Sequence, residues 1–170
     1  MKPSRGCGDD DLRALAARVG ERLLGAGRLL ALAESCTGGW VAKVVTDTVG
    51  CSAWFDRGFV TYTNESKQDL LGVRVETLSG EGAVSEATVR EMALGALARS
   101  RASVSIAISG IAGPGGGSAD KPVGTVWCAW AVDDDVSSVA CYRFGGDRES
   151  VRRQAVDRAL DGLLDVLEGA

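Results

Sequence analysis

Glu34-Ser35-Cys36-Thr37-Gly38-Gly39 places two hydroxyl side chains and two glycines in one short stretch. A continuous apolar run, Leu29 to Ala33, leads into it, and a helical pattern carrying Trp40, Val41, Val44 and Val45 leads out. Hydroxyls beside consecutive backbone N–H groups at a helix start make a natural site for an anion or a developing oxyanion. Gly38 and Gly39 let the backbone approach a ligand closely. Ser35 or Thr37 could equally be a plain N-cap, because caps favour the same residue types.

A hydroxyl needs a base, and the chain contains no histidine. That excludes Ser-His-Asp and Cys-His machinery and any His-ligated zinc site. Proton transfer near neutral pH then falls to Lys, Tyr, Asp, Glu, Cys, a terminus or water. Tyr62 and Lys67 are a candidate pair, the first near a strand end and the second on the first turns of the next helix. A lysine near a phenol or a serine hydroxyl can lower its pKa and supply a base. The alternative is a half-buried sheet tyrosine and a solvated lysine.

A third feature lies at Asp147-Arg148-Glu149-Ser150-Val151-Arg152-Arg153. Arg148 and Arg152 share one helix face, where like charges repel, and sit at the positive end of the helix dipole. Glu149 can pair with Arg153, and Arg153 with Asp157. Arg148 and Arg152 have no equally obvious local mate, so they need carboxylate partners or an anionic ligand such as phosphate, which the arginine fork matches bidentately. Ser109, at a strand end, leads into the loop Gly110-Ile111-Ala112-Gly113-Pro114-Gly115-Gly116-Gly117. This loop fits neither G-x-G-x-x-G nor the G-K-[ST] ending of a P-loop, which speaks against a dinucleotide or ATP site.

These residues need a scaffold. Periodicity predicts a helix over about Asp10 to Gly25, a buried strand over Leu29 to Ala33, and a helix from near Gly39. A β-rich stretch follows within Trp54 to Thr63, then a short helix Glu65 to Leu71 that Asn64 can cap. A longer helix capped by Ser85 runs to about Arg101. Strands are expected over Val104 to Ser109, Thr125 to Val132 and Val136 to Phe144, the last two joined as a hairpin at Asp133-Asp134-Asp135. A final helix covers about Asp147 to Glu168. Early strands separated by helices and late strands side by side predict an α/β layered domain with a mixed sheet.

The 170 residues are expected to form one domain over 10–170, preceded by a flexible arm over 1–9. A net charge of -4 argues against a nucleic-acid or polyanion binder. The five cysteines include no C-x-x-C pair and are odd in number, which fits reduced thiols in a cytoplasmic protein better than a zinc ribbon or a disulfide framework. No signal-peptide apolar region and no membrane-length apolar run is present.

Several of these strings together resemble the CinA C-terminal domain family, which includes stand-alone bacterial nicotinamide-nucleotide amidases. The resemblance runs through Glu34 to Gly39, Gly58-Phe59-Val60-Thr61-Tyr62 with Asn64 and Lys67, and Gly82-Ala83-Val84-Ser85. It continues through Ser109 to Pro114, Lys121 to Val126, Phe144, Gly146-Asp147-Arg148 and Val151-Arg152. It implies a three-layer α/β/α sandwich that commonly self-associates, and deamidation of nicotinamide mononucleotide without metal or other cofactor. It implies catalysis by Ser35, Tyr62 and Lys67. Thr37, Gly38, Gly39, Ser109, Gly110, Arg148 and Arg152 are then substrate-binding candidates. Longer members carry a large N-terminal domain for which this chain has no room. Two other classes remain in view: a non-catalytic nucleotide- or protein-binding regulator linked to competence or DNA damage, and a Tyr/Lys oxidoreductase. The oxidoreductase is disfavoured, because the Tyr-to-Lys spacing is five rather than four and the dinucleotide fingerprint is missing.

Overall fold

A computed structural model of the chain describes residues 7–169. Its elements are α1 (Asp9–Ala26), β1 (Leu30–Glu34), α2 (Trp40–Thr46), a 3-10 turn (Cys51–Ala53), β2 (Phe55–Val60), α3 (Asn64–Leu71), α4 (Val75–Gly80), α5 (Glu86–Ala98), β3 (Val104–Gly110), β4 (Thr125–Val132), β5 (Asp135–Arg143) and α6 (Arg148–Gly169). The sheet order is β2-β1-β3-β4-β5. β1 pairs in parallel with β2 and β3, while β3, β4 and β5 pair antiparallel. The mixed sheet with helices on both faces is the expected α/β/α sandwich.

Strand side chains alternate between the faces, and here the two faces differ in size. Leu30, Leu32, Val104, Ile106, Ile108, Val126, Cys128 and Trp130 point into the core beneath α1, α2 and α6. Ala31, Ala33, Ala107, Ala129 and Ala131 point to the other side, against Leu71, Val89, Met92 and Ala96 of α3 and α5. The alanines let α5 lie close to the sheet, where Ser105 Oγ donates to Ala93 O at 2.8 Å. On the larger face Trp130 Nε1 donates to Ala159 O at 2.8 Å, so its one polar atom is satisfied inside the core.

Several local expectations change. α3 is capped by Thr63, not Asn64: Thr63 Oγ1 accepts from Ser66 N–H, and Asn64 is the first helical residue. β2 ends at Val60, so Thr61, Tyr62 and Thr63 lie beyond the strand. α5 stops at Ala98, before Arg101. The helix α4 was not anticipated from the sequence. Of the proposed N-terminal arm, residues 1–6 lie outside the described residues, and α1 already begins at Asp9.

Candidate active site

In an open α/β sheet, ligands bind beyond the carboxyl ends of neighbouring parallel strands whose connections leave to opposite faces. β1 and β2 meet that condition. β1 runs into α2, whose Val41, Val44 and Val45 join the core with α1 and α6, while β2 runs into α3, whose Leu71 joins the core with α5. Ser35 follows β1 directly, and Thr61 and Tyr62 follow β2 directly. Backbone bonds carry the ladder one step further on each side: Ser35 N–H donates to Ile108 O at 3.0 Å and Thr61 N–H to Glu34 O at 2.8 Å.

Lys67, on α3, reaches across this crevice. Its Nζ lies 3.1 Å from Ser35 Oγ and donates to Thr61 O at 2.7 Å. The side chain is only 1% exposed, and Ser35 7%. Burial is the main influence on Lys67 and lowers its pKa from the ordinary lysine value. A neutral amine has one lone pair, which suits it to accept the Ser35 hydroxyl proton while an N–H stays on Thr61 O. Cys36, the neighbouring thiol, is no rival nucleophile, because burial pushes its pKa up to about 12 and keeps it protonated.

The loop after Ser35 is tied down from within. Glu34 is 1% exposed, and its carboxylate accepts from the N–H groups of Gly39, Val41 and Ala42 at 3.0, 3.1 and 2.9 Å. Gly38 N–H donates to Ser35 O and Trp40 N–H to Thr37 O. The start of α2 is therefore already occupied by a protein anion. Among the described residues, the loop amides that donate to no other residue are those of Cys36 and Thr37; the Cys36 N–H meets only its own thiol. Gly38 and Gly39 have φ of 60° and 96°, the left-handed conformation that glycine adopts without a Cβ penalty.

The other predicted residues surround this centre. Tyr62, 57% exposed, is not hydrogen-bonded to Ser35 or Lys67; its hydroxyl accepts from Arg148 Nη2 at 2.8 Å. Arg148 Nη1 donates to Gly113 O at 2.8 Å, so one guanidinium ties α6 to the segment after β2 and to the Gly-rich loop. Arg152 Nε and Nη2 donate to Cys36 O and Thr37 O at 3.0 and 3.1 Å. Ser109 turns inward, with Oγ donating to Ala83 O at 2.7 Å. At Gly110 a Cβ would lie 2.6 Å from Val126 Cγ2 and 3.1 Å from Cys36 Sγ, so this position brings β3 close against the serine loop.

Two residues here escaped the sequence reading as functional candidates. Glu34 was seen only as part of a motif, although an acid just before a helix start is a usable signal. Thr61 supplies the carbonyl that holds Lys67, and no side-chain pattern announces a backbone acceptor. The buried Thr37 Oγ1 and Thr61 Oγ1 have no hydrogen-bond partner among the described residues. No group of three or more His, Cys, Asp or Glu able to hold a metal ion occurs among the described residues. No helix among them is long and apolar enough to cross a membrane.

The profile of the CinA C-terminal domain matches residues 12–167. A nicotinamide-nucleotide amidohydrolase PncC from Escherichia coli strain K12 is 56% identical over 155 residues, covering 91% of this chain and 94% of that protein. The protein of the same name from Pseudomonas putida is 51% identical over 158 residues, 92% of this chain and 98% of its own length. Among solved structures, a competence-damaged protein (CinA) superfamily protein from Klebsiella pneumoniae 700603 superposes with a TM-score of 0.90 at 42% identity, over 94% of this chain and 99% of that one.

Proposed function

The chain belongs to the CinA C-terminal domain family, and from that membership we propose that it hydrolyses the carboxamide of nicotinamide mononucleotide to nicotinate mononucleotide and ammonia. The observation that carries the chemistry is the contact between Ser35 Oγ and Lys67 Nζ, a buried amine with no carboxylate partner among the described residues.

Neutral Lys67 takes the Ser35 proton as Oγ attacks the carboxamide carbon. The carbonyl π pair moves to oxygen, and the N–H groups of Cys36 and Thr37 stabilise that oxyanion. The Gly38 and Gly39 amides, candidate substrate contacts in the sequence, are engaged within the protein and are not free to join them. As the tetrahedral species collapses, the Lys67 ammonium returns its proton to the leaving nitrogen and ammonia departs. Water then attacks the acyl-serine, Lys67 takes its proton, and Ser35 leaves as the hydroxyl. Arg148 presents its charge at the exposed mouth beside Tyr62, where the substrate phosphate and ring are proposed to bind.

In the rival course Ser35 only positions the amide and a water attacks it directly. Self-association, a cytoplasmic setting and the lack of nucleic-acid or membrane partners complete the proposal; the charge of -4 supports excluding polyanions. The test is an ammonia assay over a panel of pyridine nucleotides with wild type and Ser35→Ala. Ammonia from nicotinamide mononucleotide with wild type alone is the expected result. Nucleotide binding without ammonia release by wild type would favour a regulatory binding module.

A further inference from the structure

Arg152 looks at first like half of a phosphate clamp, but its hydrogen bonds point into the protein. Nε donates to Cys36 O and Nη2 to Thr37 O, at 3.0 and 3.1 Å. The guanidinium carbon lies 5.2 Å from the centre of the Trp40 ring, within cation–π range. The positive start of α6 is thus applied to the two carbonyls that follow the serine.

A trans peptide points its carbonyl and its N–H in opposite directions. Holding Cys36 O therefore fixes the direction of Thr37 N–H. The preceding peptide is held in the same way, since Ser35 O accepts from Gly38 N–H at 3.0 Å and so fixes the direction of Cys36 N–H. The following peptide is closed at both ends: Thr37 O accepts from Arg152, and its Gly38 N–H is the donor to Ser35 O. The two loop amides with no acceptor in another residue, those of Cys36 and Thr37, are thus held in direction through the carbonyls of their own peptides. A cation on the carbonyl also polarises the peptide and strengthens its N–H as a donor. Thr37 Oγ1, buried and without a hydrogen-bond partner among the described residues, belongs to the residue that carries one of these amides.

We propose that Arg152 is a positioning residue for the deamidation: by gripping the Cys36 carbonyl it aims the Thr37 N–H at the oxyanion, and it does not bind the phosphate. The inference rests on the amidase function proposed above. It separates the two arginines that share a helix face, leaving Arg148 for the nucleotide and Arg152 for the loop that stabilises the transition state.

Arg152→Lys and Arg152→Met are to be compared with wild type in four measurements: kcat, KM, the affinity of the aldehyde analogue of the substrate, and the affinity of the product nicotinate mononucleotide. The aldehyde adds Ser35 Oγ to its carbonyl carbon while Lys67 takes the Ser35 proton, leaving an alkoxide in the place of the oxyanion, so its affinity reports the oxyanion site. With a misdirected donor, kcat falls by about 10–100-fold. Aldehyde affinity falls by a similar factor, while KM and product affinity stay within about threefold, well under one power of ten. A preserved kcat with weakened product binding would make Arg152 a phosphate contact and overturn the inference alone. Equal losses for aldehyde and product would reduce Arg152 to a structural role and overturn it as well. Wild-type protein that releases no ammonia would overturn the amidase function itself, and the inference with it.

Discussion

Lys67 Nζ sits 3.1 Å from Ser35 Oγ although 32 positions separate the two residues in the chain. The contact exists because β1 and β2 are parallel neighbours whose connections leave to opposite faces of the sheet. Ser35 directly follows one strand, and Lys67 begins its reach from the helix that follows the other. Thr61 O fixes the amine at 2.7 Å, and the surrounding protein removes it from water.

That burial sets a pH dependence. The lowered pKa places the loss of the Lys67 proton below the ordinary value of about 10.4. kcat/KM is therefore expected to rise with pH and level off at an apparent pKa below that of free lysine. Stability follows with a definite sign. Between the folded value and about 10.4 the unfolded chain binds more protons at this site, so stability rises with pH across that window. Wild type should gain melting temperature relative to Lys67→Met as pH is raised through it. A flat difference between the two, with an acid limb set elsewhere, would remove Lys67 as the base.

Glu34 holds three amides at the start of α2, those of Gly39, Val41 and Ala42, with one carboxylate. Glu34→Ala leaves those donors unpaired and should cost about 1–3 kcal/mol. Each kcal/mol lowers the melting temperature by roughly 2–4 °C for a domain of this size. Activity should fall as well, because the same contacts fix the path of the Ser35 loop. Thermal unfolding with a parallel ammonia assay checks both effects; an unchanged melting temperature would contradict the capping role.

Gly110 is the point where β3 meets that loop. A methyl group there would lie 2.6 Å from Val126 Cγ2, 2.9 Å from Thr125 O and 3.1 Å from Cys36 Sγ. Gly110→Ala should destabilise by about 1–3 kcal/mol and reduce turnover by displacing Cys36. Gly115→Ala is the control, since nothing lies within 4 Å of its added carbon; it should stay within about 0.5 kcal/mol of wild type. Equal effects at the two glycines would show that the close packing at Gly110 is unimportant.

Arg148 is expected to act through the nucleotide. Arg148→Ala should weaken binding of the mononucleotide more than binding of nicotinamide riboside, measured by calorimetry. It also frees the Tyr62 hydroxyl and the Gly113 carbonyl, so some loss for both ligands is expected. Equal losses would count against a phosphate contact.

Much of the scaffold was legible because its elements carry local signals. β4 covers Thr125 to Val132 as expected, Ser85 caps α5, and the hairpin turns at Asp133 and Asp134, both with positive φ. α4 was not legible because its anchor is tertiary. Its cap residue Arg74 makes no side-chain cap bond; instead Glu91 of α5 accepts from Arg74 and from Thr77. Thr63 and Asn64 are both good caps, and the choice turns on where β2 ends. In the site, Ser35 and Lys67 were legible as chemistry but not as a pair. Tyr62 was grouped with Lys67 by proximity in sequence, yet its hydroxyl is held by Arg148, 86 positions away. Which amides of the loop are free depends on Glu34 and Arg152, and no spacing rule reveals that.

The proposed covalent course is tested most directly by rapid-quench mass spectrometry of the enzyme during a single turnover of nicotinamide mononucleotide. An adduct equal to the substrate less ammonia, borne by the peptide that contains Ser35 and absent from Ser35→Ala, is the expected result. Turnover that proceeds with no such adduct, and at a near-normal rate in Ser35→Ala, would contradict nucleophilic attack by the serine.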